Sequence, residues 1–198
     1  METRWTWAVV VVAATALGAC GSAEEIAAPT SSSAVITDSQ RGVLLAEAAC
    51  SVLMSEDAEA AFGRTVVGGG NEVGECRFVL EPGLGGASQL VVEAALWPGG
   101  EDLRPQQFFE EQRVKDQVVE VPGIGFPALY DPVVSVVWTL VEPSNATLPG
   151  RAADLGPVEN VVLELQVLLP GVGVAPDDAR DEIRSGLSRL AEVVAPRL

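Results

Sequence analysis

Apolar and polar positions alternate with a period of two in several stretches of this chain. In ECRFVLE (Glu75–Glu81), Cys76, Phe78 and Leu80 fall on one side and Glu75, Arg77, Val79 and Glu81 on the other, the mark of a half-buried strand. NVVLELQVLL (160–169) sets Val161, Leu163, Leu165, Val167 and Leu169 against Asn160, Glu164 and Gln166. One packed and one wetter face is the pattern of an antiparallel sheet. SVVWTLVE (135–142), QLVVEAALW (89–97, stopped by Pro98) and QVVEVPG (117–123) predict further strands.

Elsewhere the period lengthens to that of a helix. PDDARDEIRSGLSRLAEVV (176–194) opens on Pro176, Asp177 and Asp178 and places Ala179, Ile183, Leu187, Leu190 and Val194 three and four apart. It should cover the apolar sheet face. DSQRGVLLAEAAC (38–50) offers Asp38 or Ser39 as N-cap, with Val43, Leu44, Ala46 and Ala48 in helical surroundings. MSEDAEAAFG (54–63) is a short helix with Ser55 as its cap, acids in its first turn and Gly63 as its left-handed stop. RPQQFFEEQRVK (104–115) begins with proline at the first helical turn, and VVGGGNEVG (66–74) reads as a loose turn. The architecture predicted is α+β: an antiparallel sheet of about five to seven strands with N-terminal and C-terminal helices packed on it.

The N-terminal residues follow neither pattern. Residues 5–17 are uncharged and mostly apolar behind Arg4, short for a bilayer span of about 20 residues but matched to the core of a signal peptide. The run ends in Leu17-Gly18-Ala19-Cys20, which resembles the lipobox of bacterial lipoproteins: an aliphatic residue, two small ones and the acylated cysteine. The resemblance implies a lipoprotein-type signal peptide over 1–19 and a lipid on Cys20. An ordinary signal peptide cut near Ala19, or an uncleaved anchor, is the rival reading. Two acyl chains at about 0.8 kcal/mol per buried CH₂ hold a protein firmly, so the expected place is the outer face of the plasma membrane. Residues 20–38 read as the lipidated cysteine and a flexible tether, and 39–198 as one globular domain.

Charge and cysteine usage narrow the picture. The chain of 198 residues carries 28 acids, 12 bases and no histidine, a net charge of −16. Such a surface repels phosphate backbones and anionic headgroups, which argues against nucleic-acid binding. With Cys20 acylated, Cys50 and Cys76 remain as an even pair in a compartment that permits disulfides. We expect them joined, with a contribution of roughly 3 kcal/mol in the chain-entropy treatment. Two buried thiols or a metal pair are the alternatives, the latter short of ligands without histidine.

The search for chemistry returns little. Lacking histidine, the chain cannot assemble a Ser-His-Asp or Cys-His site, and Ser-Lys chemistry would depend on Lys115, the single lysine, on a solvated helix end. The adjacent acids Glu24-Glu25, Glu56-Asp57, Glu101-Asp102, Glu110-Glu111, Asp177-Asp178 and Asp181-Glu182 sit mostly at helix starts or on solvated faces. PGIGFPALY (122–130) lacks the third glycine and the helix of a phosphate loop, so it reads as a tight connection in which Gly125 supplies an unusual backbone angle. Trp97 and Trp138 read as packing residues within strands.

Four features occur together: ACSVLMSEDAEAAFG (49–63), then GECRFVL (74–80), then VPGIGFPALY and a last amphipathic helix ending RLAEVVAPRL. In this order they resemble a family of small actinobacterial envelope lipoproteins built on a domain of unknown function. The resemblance covers 48–198 and implies a paired Cys50 and Cys76, an α+β fold and no catalytic residue. The function expected is that of a membrane-anchored, non-enzymatic binding or accessory module of the cell envelope. Its partners would be the membrane, through the lipid on Cys20, and an envelope protein or small ligand, with no cofactor and no metal. The alternative is a lipid or small-ligand carrier with an apolar cavity. Mass spectrometry of the N-terminal peptide from purified membranes is expected to find Cys20 first in the chain and diacylglyceryl-modified; an unmodified cysteine, or recovery of the protein from cytosol, refutes the anchor.

Overall fold

The computed structural model describes residues 38–72, 74–98, 104–142, 148–155, 160–172 and 174–198. Cys20, the signal peptide, the tether and the acidic pairs Glu24-Glu25 and Glu101-Asp102 lie outside them.

Among the described residues, four helices and seven strands follow one another as α1 (Asp38–Val52), α2 (Ser55–Phe62), β1 (Thr65–Glu72), β2 (Glu75–Glu81), β3 (Leu90–Trp97), α3 (Pro105–Arg113), β4 (Val119–Glu120), β5 (Ala128–Asp131), β6 (Val136–Val141), β7 (Val161–Leu168) and α4 (Asp177–Val194). Short 3₁₀ turns occupy Gly150–Leu155 and Ala195–Arg197. The strands form one antiparallel sheet in the order β1-β2-β3-β7-β6-β5-β4, so the fold is α+β with its helices packed on an antiparallel sheet. Strand β7 lies between two meanders and pairs Val91–Trp97 of β3 on one side and the whole of β6 on the other.

The two sheet faces carry two cores. On the first, Val161, Leu163, Leu165 and Val167 of β7 meet Leu80, Leu90, Val92, Val137 and Val141 under α1, α2 and α4. Helix α4 buries Ala179, Ile183, Gly186, Leu187, Leu190, Ala191 and Val194, the stripe that its spacing predicts. Ile183, Leu187 and Leu190 are wholly enclosed, each worth about 1.5–3 kcal/mol of apolar burial. The second face is not simply wet. Helix α3 covers part of it, and Phe109 joins Leu129, Val136, Trp138 and Val162 in a smaller core. Phe108 sits between Trp97, at 4.7 Å between ring centres, and Trp138, at 6.1 Å. Pro105 at the start of α3 pre-sets its first turn, and Pro105, Phe109 and Gln112 form its buried stripe.

Several local readings needed correction. Residues 128–130, read as the end of a tight connection, form strand β5 with Asp131. Ser55 does not cap α2; it is the first helical residue, and the backbone N–H of Met54 donates to the Asp57 carboxylate at 3.0 Å, the acid half of a capping box. The glycines 68–70 are not a loose turn but part of edge strand β1, which carries a bulge between Val66 and Gly68. A side chain at Gly69 would stand 2.4 Å from the Arg77 carbonyl oxygen, so the close ladder needs glycine there. Gly63 ends α2 in the left-handed conformation as read, at φ +63°.

Two long-range contacts fasten the helical layer. The Phe62 ring of α2 lies against Gly186 of α4, where a Cβ would come within 2.3 Å of a ring carbon. Arg197 reaches back to α2: it donates to Asp57 Oδ1 at 2.9 Å and to the Val52 carbonyl at 2.7 Å. The guanidinium hydrogen bond is the largest influence on Asp57 and holds its carboxyl below the ordinary 3.8, against burial that pushes it up.

Glycine to alanine in a helix interior ordinarily stabilises by about 1 kcal/mol, but Gly186→Ala is expected to cost about 1–3 kcal/mol in urea unfolding through the clash with Phe62. Phe62→Leu should recover part of that loss in the double variant, and additivity of the two would refute the contact. For Asp57 the depressed folded pKa fixes the sign. Its contribution is complete above about pH 4 and disappears as pH falls through the folded pKa. Asp57→Asn should therefore cost about 1–2 kcal/mol at pH 7 and progressively less below pH 4. A cost independent of pH would refute the charge-based account.

Candidate functional site

The connection between β4 and β5, residues 121–127, separates two concave surfaces. Its neck is closed by Val121 N–H donating to the Ala128 carbonyl at 2.9 Å, and the Leu140 N–H donates to the Pro127 carbonyl at 2.9 Å. Gly123 and Gly125 hold φ of +92° and +83°, angles that favour glycine, so the unusual backbone read at Gly125 is present. Val121 and Ile124 turn into the core, while Pro122 and Gly123 stay exposed.

A groove of 650 Å³ lies on the α3 side of this turn. Phe109, Phe126, Leu129 and Leu140 line it with Pro122, Pro127 and Ala128. Its rim is charged: Arg113 donates to Glu120 at 2.5 Å and stands 3.6 Å from Glu110. The Glu120 hydrogen bond, then the charges of Glu120 and Glu110, push Arg113 up from its usual value. An apolar trough with a few charged groups at its edge is the usual form of a small-molecule site.

A second pocket of 370 Å³ lies on the α4 side and shares Val121, Pro122 and Gly123 with the first. Its other wall is the outward stripe of α4: Asp181, Arg184, Ser185, Ser188, Arg189 and Glu192. Arg189 donates to the Ala61 carbonyl through Nε at 3.0 Å and through Nη2 at 2.5 Å, and through Nη1 to Ser185 Oγ at 2.8 Å. Arg184 donates to the Glu120 carbonyl at 3.5 Å and lies 6.0 Å over the Tyr130 ring. Burial pushes the Tyr130 hydroxyl up, and the charges of Arg180 and Arg184 draw it partly back.

Outside this region the titratable groups have structural duties. Glu93 and Asp131 are the buried carboxylates among the described residues. Glu93 accepts from Arg77 Nε at 2.6 Å. Asp131 accepts from the backbone N–H groups of Val133 and Val134, at 2.8 and 3.4 Å, and closes the β5–β6 turn. In the register Glu93–Gln166–Val136–Asp131 they stand three strands apart, about 14 Å at ordinary strand spacing, too far to act on one bond. Lys115 donates to Gln112 at 2.5 Å beyond the end of α3. Asp177-Asp178 and Glu56-Asp57 sit in first helical turns, as their sequence position implies. Trp138 is buried and donates through its indole N–H to Glu164 at 2.7 Å; Trp97 is half-buried beside it.

Cys50 of α1 and Cys76 of β2 form a disulfide with their Cα atoms 5.0 Å apart. A pocket of 350 Å³ lies against it, bounded by Val66, Gly68, Gly69, Gly70, Asn71 and Phe78. Among the described residues no helix is long and apolar enough to cross a membrane, and none of their acid, histidine or cysteine groupings could hold a metal ion.

Sequence reasoning singled out the 122–130 stretch but missed its partners on α3 and α4. Arg184, Ser185, Ser188 and Arg189 share the polar face of a strongly amphipathic helix, which reads first as a solvated face. That this face looks at the turn is a tertiary fact.

No protein-family model matches the chain, and no solved structure matches it. Among curated proteins it is similar to an ATP phosphoribosyltransferase of Stenotrophomonas maltophilia (strain R551-3), with 34% identity over 135 residues. The match takes in 63% of this chain and 40% of that protein, so the chain spans well under half the length of its relative. The relative is an enzyme. This corrects the expectation that the chain has no enzymatic role, an expectation drawn from the missing histidine and the degenerate carboxylate pairs. Absence of histidine excludes particular catalytic sets, not catalysis as such.

Proposed function

We propose that the chain is a lipoprotein of the cell envelope, anchored on the outer face of the plasma membrane through a lipid on Cys20, and that it works as a binding or accessory module whose ligand docks at the 121–127 turn. The observation that carries the binding role is the 650 Å³ groove lined by Phe109, Phe126, Leu129 and Leu140 with charge confined to its rim. Phe109 and Leu129 are buried at its floor, while Phe126 and Leu140 stay half-buried, and an occupant that covers those two gains apolar burial. The lipobox resemblance at Leu17-Gly18-Ala19-Cys20, the disulfide and the likeness to actinobacterial envelope lipoproteins support the location.

The similarity to an ATP phosphoribosyltransferase favours a second reading, in which the turn handles a phosphorylated small molecule and acts on it. The α4 pocket supports this with two guanidiniums and the Ser185 hydroxyl, which suit phosphate, and with Asp181 and Glu192 as groups that accept a proton. A carrier role needs less of the protein, since the groove then only holds its occupant.

Photo-crosslinking in intact membranes tests the docking site. With Phe126 replaced by p-benzoylphenylalanine, ultraviolet light is expected to give a discrete adduct, and Leu140→Glu in the same chain should abolish it. The same photoreactive residue at Val174, an exposed position outside the groove, should give none. Equal labelling at both positions, or an adduct indifferent to Leu140→Glu, would remove the groove as the site.

A further inference from the structure

We infer that the pocket between α4 and the 121–127 turn is an anion subsite, built to take the phosphate group of a phosphorylated small molecule. The inference rests on the ligand-binding reading of the turn and supplies the chemistry of its α4 side.

With 28 acids against 12 bases, an arginine of this chain ordinarily finds a carboxylate partner. Arg64 accordingly pairs with Glu182, Arg77 with Glu75 and Glu93, Arg113 with Glu110 and Glu120, Arg151 with Glu47, Arg180 with Asp177 and Arg197 with Asp57. Arg104, at the start of α3, Arg184 and Arg189 differ: among the described residues none of the three has a carboxylate within ion-pair distance. The partners of Arg184 and Arg189 are backbone carbonyls, a serine hydroxyl and an aromatic face. Both line the same pocket.

The donors left over suit a tetrahedral oxyanion. A guanidinium carries five N–H groups; Arg184 donates one and Arg189 three, so both keep N–H groups that no protein acceptor among the described residues takes. Ser185 Oγ accepts from Arg189, so its own proton remains to be donated. Ser188 is committed, since its hydroxyl donates to the Arg184 carbonyl at 2.7 Å. Contact with the Ala61 carbonyl fixes Arg189 in place, which lowers the entropy lost when a ligand arrives. The shared wall of Val121, Pro122 and Gly123 puts this subsite back to back with the apolar groove, so one molecule with a phosphate and an apolar portion can engage both sides of the turn.

Two features oppose anion binding and set its strength. Asp181 and Glu192 line the same pocket, and the net charge of −16 repels anions at a distance. Affinity for a bare phosphate compound should therefore be modest, and removing either carboxylate should raise it. A merely structural role for the two arginines gives no reason for such a gain.

The test is calorimetric titration of the full-length lipidated protein, in a non-ionic detergent, with inorganic pyrophosphate. Binding is expected with a Kd of about 1 mM or tighter at low salt, weakening as salt screens the charges. Arg184→Gln and Arg189→Gln should each weaken it about fivefold, while Asp181→Asn and Glu192→Gln should each tighten it about twofold. Arg151→Gln, a remote exposed arginine paired with Glu47, should leave it unchanged. Because Arg189 also braces α2, Arg184→Gln supplies an independent reading, with circular dichroism to verify the fold. Absence of binding, arginine variants that bind like the wild type, or an equal loss in Arg151→Gln would overturn the subsite. If pyrophosphate fails while the adduct at position 126 persists, the anion subsite falls and the binding module stands; if both fail, both fall.

Discussion

The fold depends on one pairing: strand β7 hydrogen-bonded on both sides, to β3 and to β6. Each neighbouring meander is local, built from strands that follow one another along the chain. They become one sheet only when β7, which follows both in the chain, enters between them. Such a pairing closes long loops and must recover their entropy by burial. It does so on both faces. Leu163 and Leu165 vanish into the main core, while Val162 is sealed under α3 with Phe109 and Trp138. The following helix, α4, then lies across the completed sheet, and Arg197 at its end ties back to Asp57 near the start of the domain.

The position of the candidate site follows from this geometry. The half-sheet β6-β5-β4 tapers to a strand of two residues, so its edge protects little and the 121–127 turn projects beyond it. Helix α3 packs on one face of the sheet and α4 on the other, which leaves the turn flanked by a helix on each side. One flank presents aromatic and aliphatic side chains, the other guanidiniums and hydroxyls. The turn is stiff: two prolines, two glycines at positive φ and a closing backbone hydrogen bond define its shape. A stiff element between two chemically different pockets suits recognition of one ligand by two of its parts. The disulfide lies elsewhere, tying α1 to β2 next to the opposite sheet edge formed by the glycine-bearing strand β1.

The similarity to an ATP phosphoribosyltransferase takes in 40% of that protein's length. Apart from it, α4 of this chain carries two guanidiniums without carboxylate partners among the described residues, both lining the pocket beside the turn. The expectation of a non-enzyme came from listing the catalytic sets that histidine makes possible. That reasoning removes those sets and leaves others standing.

Most secondary structure was legible in the residues. The alternation in 75–81 and 160–169 and the three-four spacing of α4 arise because burial on one side of a strand or helix imposes its own period on the sequence. The acids in the first turns of α2 and α4 and the stop at Gly63 were legible for a similar reason, as local chemistry, whereas the cap of α2 was misplaced by one residue at Ser55. Three things were not. The glycine run passed for a turn because only the neighbouring strand β2 holds it extended. The partial cover of the second face by α3 was hidden because Phe108 and Phe109 are adjacent residues that bear no periodic signal. The pocket on α4 was hidden because an outward polar face looks the same in sequence whether it meets water or a turn 60 residues away. By itself the sequence determined which side of each element is apolar, since that is set by the spacing of neighbours along one strand or helix. Tertiary structure alone decided which elements face each other, because that depends on the order of strands in the sheet, and residues distant in the chain carry no shared period.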